Sequence, residues 1–111
     1  MSDELAARLR VALKGRKAVT EKRMFGGVCF LLRGNMLCGT SKGRLMARVG
    51  KDQHRSALAR PGARPMDFTG RSLKGFVWVG AKGYAGTGLR RWVAMAERYV
   101  GKLPAKRKKA R

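Results

Sequence analysis

The first fifteen residues have the hydrophobic spacing of an amphipathic helix. Apolar residues recur three and four positions apart, at Leu5, Leu9, Ala12 and Leu13, and this spacing places them on one helix face. Ser2 is suited to cap the helix, because its hydroxyl can accept a hydrogen bond from a free N–H of the first turn. Gly15 is suited to end it, because glycine readily adopts the positive φ that follows many helices. The pattern therefore predicts an N-terminal helix.

Between residues 24 and 49 the hydrophobic period changes to the alternation of β-strands. Strands are predicted over residues 28–32, 36–40 and 44–49, and Gly34-Asn35 is predicted as the two-residue turn between the first two. The first strand is apolar on both faces, so we expect it to lie inside a sheet. With this turn, Cys38 would lie opposite Leu31, and Cys29 would lie diagonal to it on the same face.

The remaining chain predicts two helices, two strands and a glycine-rich loop. A short helix is predicted from about residue 52 to 60, strands at 66–69 and 74–80, and a loop at 80–88. In the last helix, apolar residues recur at Leu89, Trp92, Val93, Ala96, Val100 and Leu103, after Thr87 as a candidate cap. The order α-β-β-β-α-β-β-α predicts an α+β fold, a two-layer domain with an antiparallel sheet and helices on one face.

Composition makes this small domain strongly basic. The 111 residues hold 27 Lys and Arg against 6 Asp and Glu, giving a formal net charge of +21. We expect a domain over residues 1–103 and a disordered basic tail over 104–111. A charge of this size favours polyanionic partners, and DNA or RNA is the first candidate. The tail residues expected to contact nucleic acid are Lys106, Arg107, Lys108, Lys109 and Arg111.

A second candidate surface comes from strand alternation. Arg44, Met46 and Arg48 fall on one face of the third strand, and Phe76 and Trp78 share a face of a later one. If both strands show the same side, aromatic rings lie among cations, an arrangement that suits single-stranded nucleic acid. Alternatively, Phe76 and Trp78 belong to the core or to a self-association face, and the positive charge serves solubility. Met46, Phe76 and Trp78 are thus the candidate interaction face.

The sequence offers little for catalysis, and no enzyme is expected. The two cysteines, Cys29 and Cys38, form no metal-binding spacing, and His54 is the single histidine. The loop at 80–88 lacks the residue order of a nucleotide-binding loop. No cofactor or metal is expected. No apolar run approaches the roughly 18 to 20 residues of a membrane helix, and no secretory signal is recognisable, so we expect no membrane partner and a cytoplasmic location.

Several segments resemble a known family when taken in order. They are RMFGGVCF at 23–30, GNMLCG at 34–39, LMARVG at 45–50 and ARPMDFTGRSLKGFVWV at 63–79. Together they are similar to the N-terminal domain of TfoX/Sxy proteins, regulators of bacterial natural competence. The resemblance implies a small α+β domain like that of type III secretion chaperones, without an enzymatic site, in proteins that influence transcription of competence genes alongside another activator.

Two hypotheses follow for function. In the first, the chain is a non-enzymatic regulatory or accessory protein that contacts nucleic acid electrostatically, with a transcription activator as a protein partner. In the second, it is a homodimeric interaction module with no direct nucleic-acid role, in which the apolar sheet face meets another copy.

Overall fold

A computed structural model describes residues 4–24, 27–68 and 71–104. In that part of the chain the helices are α1 (Glu4–Ala12), α2 (Lys51–Leu58), α3 (Ala81–Tyr84) and α4 (Gly88–Val100). The strands are β1 (Val19–Met24), β2 (Gly27–Leu32), β3 (Asn35–Ser41), β4 (Arg44–Arg48), β5 (Ala63–Phe68) and β6 (Arg71–Val79). Ser2 lies outside the described residues, as does most of the basic tail.

The strands form one antiparallel sheet in the order β1-β2-β3-β4-β6-β5. The predicted α+β class and antiparallel sheet are confirmed, and β2 lies inside the sheet as expected. Two elements were not predicted, β1 and the four-residue helix α3. β1 reads VTEKRM and residues 20–23 are exposed, so it lacks the apolar alternation that marks a half-buried strand.

The turn between β2 and β3 is shifted by one residue from its predicted position. Leu32 pairs with Asn35, so the turn residues are Arg33 and Gly34. Their φ values are 50° and 84°, as a type I′ turn requires at both central positions. The prediction of Gly34-Asn35 as the turn is therefore wrong. The two central residues of this turn type need positive φ, and in the structure those residues are Arg33 and Gly34.

An irregularity in β3 corrects the predicted placement of the two cysteines. Leu31 pairs with Met36, whereas Phe30 pairs with Cys38, so β3 holds one extra residue at this point. A one-residue shift moves the following side chains to the other face of a strand. Cys38 therefore lies opposite Phe30 rather than Leu31, and it belongs to a different apolar cluster from Cys29.

The main core lies between one face of the sheet and the helices. It joins buried helix residues such as Leu9 and Trp92 to strand residues such as Leu37, Leu45 and Val77. All five are at most 3% exposed, and burying a large apolar side chain contributes about 1.5 to 3 kcal/mol. The predicted apolar face of the last helix is confirmed by this packing. Within the described residues, no helix has the length and hydropathy needed to cross a membrane.

Two ion pairs hold α1 and the segment after it against the rest of the molecule. Arg10 Nη2 lies 2.7 Å from Glu21 Oε2, joining α1 to β1, and Arg16 Nε lies 2.6 Å from Glu97 Oε2 on α4. The hydrogen bond from Arg10 lowers the pKa of Glu21, and the hydrogen bond to Glu97 raises the pKa of Arg16. Because Arg10, Glu21 and Arg16 are exposed and Glu97 is only partly buried, each pair adds only a modest amount to stability.

Candidate nucleic-acid interface

The sheet face opposite the main core carries a second, smaller apolar cluster. Its members are Cys29, Leu31, Met36, Met46, Met66, Phe76 and Trp78. All of them are strand residues, so within the described chain no helix contributes to this cluster. We call this surface the open face.

Strand register brings the predicted residues of β4 and β6 together on the open face. Met46 pairs with Trp78, and Arg48 pairs with Phe76. Directly paired residues of neighbouring strands project from the same face of a sheet. The structure therefore places Arg44, Met46, Arg48, Phe76 and Trp78 on one surface. Met46 is 3% exposed, while the other four are half-buried.

Each arginine of this group lies over an aromatic ring. Arg44 Cζ is 3.9 Å from the centre of the Trp78 ring, and Arg48 Cζ is 5.4 Å from that of Phe76. Arg48 Cζ also lies 5.6 Å from the ring of Tyr99 on α4. Contacts of this kind hold a guanidinium in place by cation–π attraction while it keeps its charge. Arg44 Nε also donates to the Ser41 carbonyl at 3.5 Å, and Arg48 Nη1 to the Met36 carbonyl at 3.4 Å. The open face thus presents positioned cations beside apolar surface.

A groove of about 380 Å³ opens beside the stacked pair. Its lining residues are Arg44, Gly62, Arg64, Pro65, Trp78 and Gly80. Arg64 pairs with Trp78 across β5 and β6 and is exposed. Sequence reasoning missed Arg64, because Pro65 led the predicted strand to begin after it. Proline is tolerated in edge strands such as β5, and extending that strand toward its N-terminus would have found Arg64.

A continuous row of paired residues crosses the whole sheet through this groove. It runs Lys22, Cys29, Gly39, Met46, Trp78, Arg64 from β1 to β5. With strands about 4.8 Å apart, its ends are separated by about 24 Å. The row is cationic at both ends and apolar in the middle. Lys22 was also missed, because β1 itself was not predicted.

Lys106, Arg107, Lys108, Lys109 and Arg111 all lie outside the described residues. The described chain ends at Pro104, where the Pro104 carbonyl accepts a hydrogen bond of 2.9 Å from Asn35 Nδ2. This contact brings residue 104 to the first residue of β3, next to Met36 of the open face.

Cys29, Cys38 and His54 were the residues considered for nucleophilic or metal chemistry. The cysteines are buried in the fold, and the histidine accepts a backbone hydrogen bond. Burial raises the pKa of the Cys29 thiol and, much more, that of the Cys38 thiol, whereas a reactive cysteine needs a lowered pKa. Nδ1 of His54 accepts a hydrogen bond of 3.0 Å from the N–H of Gly75, which fixes α2 to β6. Across the described ranges, no cluster of three or more His, Cys, Asp or Glu residues could hold a metal ion.

These features define a class of small α+β domain, with one antiparallel sheet, helices on one side and a basic aromatic surface on the other. The chain belongs to the TfoX N-terminal domain family, whose model matches residues 12–99. That range contains every strand described above and all of the described residues of the open face. The resemblance found in the sequence is thereby confirmed. No curated protein and no solved structure matches the chain significantly.

Proposed function

We propose that this protein is a non-enzymatic regulatory or accessory protein that contacts nucleic acid through its open face and its basic tail. The observation that carries the proposal is the Arg44 guanidinium stacked 3.9 Å from the centre of Trp78. It lies on a sheet face whose apolar cluster consists of strand residues in the described chain. Arg48 lies over Phe76 in the same kind of contact, and Phe76 is two residues from Trp78 on β6.

Charge supports a polyanionic partner for this surface. The chain carries +21 in 111 residues, and each phosphate that a Lys or Arg neutralises releases condensed counterions. Arg44, Arg48 and Arg64 surround apolar side chains on the open face. A nucleic acid offers phosphates for the cations and, where its bases are unpaired, flat apolar surface for the centre.

Family membership supports the regulatory part of the proposal. As a TfoX N-terminal domain, the chain is proposed to act in the cytoplasm in transcription regulation. The resemblance to competence regulators points to that pathway and to a transcription activator as protein partner. No residue is assigned a catalytic role, and no cofactor is proposed.

Neutralising Arg44 and Arg48 tests whether the open face binds. For the variant Arg44→Ala/Arg48→Ala, we expect affinity for DNA or RNA at near-physiological salt to fall about tenfold or more. The slope of log K against log salt should flatten by about 2, because two phosphate contacts are removed. Fluorescence anisotropy over a salt series measures both quantities.

The matched control removes the same charge from the other side of the molecule. Arg91 and Arg98 lie exposed on α4, so Arg91→Ala/Arg98→Ala should change binding much less than the open-face variant. Equal losses for the two variants would show that only net charge matters, and unchanged affinity for the open-face variant would exclude this surface.

The apolar centre of the open face supports a second candidate, a homodimer that buries this surface. Two copies meeting there would bring Arg44, Arg48 and Arg64 close to their counterparts, which is unfavourable at low salt. We therefore expect sedimentation velocity at tens of micromolar to find a monomer at low salt. A dimer that strengthens with salt, and that Met36→Glu at the half-buried Met36 of the open face dissociates, would favour the second candidate.

A further inference from the structure

We infer that the open face selects single-stranded over duplex nucleic acid, and that the groove beside Trp78 is a subsite for one unpaired base and its phosphate. This inference rests on the proposed function and specifies the substrate class of the same surface. Positive charge alone would not produce this selectivity, because a basic surface by itself favours the higher charge density of a duplex.

The centre of the open face is apolar, which favours unpaired bases. Phe76 and Trp78, each half-buried and packed with the buried Met46, form an apolar strip between the cations of the outer strands. A duplex presents phosphates and sugars to a flat surface and keeps its bases stacked inside, so this strip would have nothing to contact. Unpaired bases expose apolar faces that stack on aromatic rings and on guanidinium planes. The strip and its cations therefore match a single strand.

The groove beside Trp78 has a volume that suits a single base. At about 380 Å³ it lies near the lower end of the range for ligand pockets, which suits one planar base better than an extended ligand. Gly62 and Gly80 form part of its wall, and the N–H of Gly80 donates to the Gly62 carbonyl at 2.9 Å. At Gly80 an added Cβ would meet only the Gly62 carbonyl oxygen, at 3.9 Å, so a flat ring can approach the backbone closely there.

Two positively charged side chains lie beside that groove. Arg44 and Arg64 both line it, and Arg44 is already stacked on Trp78. The side of the Arg44 guanidinium that faces away from Trp78 can stack on a base, while the exposed Arg64 can reach the attached phosphate. Lys22, at the far end of the row through Trp78, adds a cation on the path of a strand that crosses the sheet.

The test compares the affinity of the protein for three nucleic-acid probes of the same base sequence. These are a short single-stranded DNA, the matching RNA strand and the DNA duplex, each labelled and titrated by anisotropy at near-physiological salt. We expect both single strands to bind about tenfold or more tightly than the duplex. The DNA and RNA arms show which sugar the surface prefers.

Two variants separate stacking from charge. Trp78→Leu keeps the net charge and the apolar character but removes the ring, and should weaken single-strand binding about 5- to 100-fold. Arg44→Lys keeps the charge but removes the planar group, and should weaken it less. Both should lower duplex affinity less than they lower single-strand affinity. Circular dichroism checks folding, and Phe76→Leu replaces Trp78→Leu should that variant unfold. Tyr84→Leu, on the helix-covered side, is the aromatic control.

The outcomes distinguish this inference from the proposed function. Duplex binding as tight as single-strand binding overturns the single-strand selectivity but leaves nucleic-acid binding in place. Single-strand affinity unchanged by Trp78→Leu and Phe76→Leu overturns the base subsite. Absence of measurable binding to any of the three probes at near-physiological salt overturns the proposed function itself.

Discussion

Replacing Gly50 by alanine should lower the free energy of unfolding by about 2 to 5 kcal/mol, and equilibrium urea denaturation measures the loss. Gly50 connects β4 to α2 with φ at 85°, and its N–H donates to the Gly75 carbonyl at 3.1 Å. An added Cβ would overlap the ring of Tyr99. The substitution therefore combines left-handed backbone strain, which costs about 1 to 2 kcal/mol, with overpacking, which costs about 1 to 3 kcal/mol.

Gly43 provides the matched control for backbone strain. It has φ at 77° in the turn between β3 and β4, and a Cβ there would meet no atom within 4 Å. Gly43→Ala should therefore cost only the strain, about 1 to 2 kcal/mol. Removing the ring in Gly50→Ala/Tyr99→Ala should cost less than the sum of the two single variants. Equal losses at Gly43 and Gly50 would contradict the role assigned to the Tyr99 contact.

Neutralising the tail should produce the largest change in nucleic-acid binding. In the variant with Lys106, Arg107, Lys108 and Lys109 changed to alanine, we expect weaker binding to every nucleic-acid sequence by a similar factor. The slope of log K against log salt should flatten by about 3 to 4 on duplex DNA, because up to four phosphate contacts are lost. Titrations from low to near-physiological salt measure the slope.

The matched control for the tail removes four exposed lysines elsewhere, at Lys14, Lys17, Lys51 and Lys82. It has the same net charge as the tail variant. If the clustered tail contacts phosphates directly, the tail variant loses more affinity and more slope than this control. Affinity that the tail variant leaves unchanged would remove the tail from the proposed function.

The open face was predictable because strand alternation is a local property. Arg44, Met46 and Arg48 follow one another at every second position, and so do Phe76 and Trp78. Residues two apart on a strand share a face, whatever the rest of the fold does. What the sequence left open was whether the two strands are neighbours. The pairing of β4 with β6 across α2 and β5 answers that question.

The errors came from features that depend on how neighbouring strands fit together. The turn at Arg33 and the extra residue in β3 are set by that fit, so the predicted turn at Gly34-Asn35 placed Cys38 on the wrong face. β1 is held by its pairing with β2 rather than by its own hydrophobic pattern. Arg64 and Lys22 were missed for the same reason, since each lies on an edge strand with weak local signals.

Those weak edge strands have a consequence for how the molecule meets other chains. An unpaired strand edge is a template on which another strand can add, and charged residues and proline discourage such addition. β1 carries Glu21, Lys22 and Arg23, and β5 carries Pro65 without a backbone N–H. Both margins of the sheet therefore resist extension into fibres or strand-swapped assemblies, which leaves the broad surfaces of the domain for recognition.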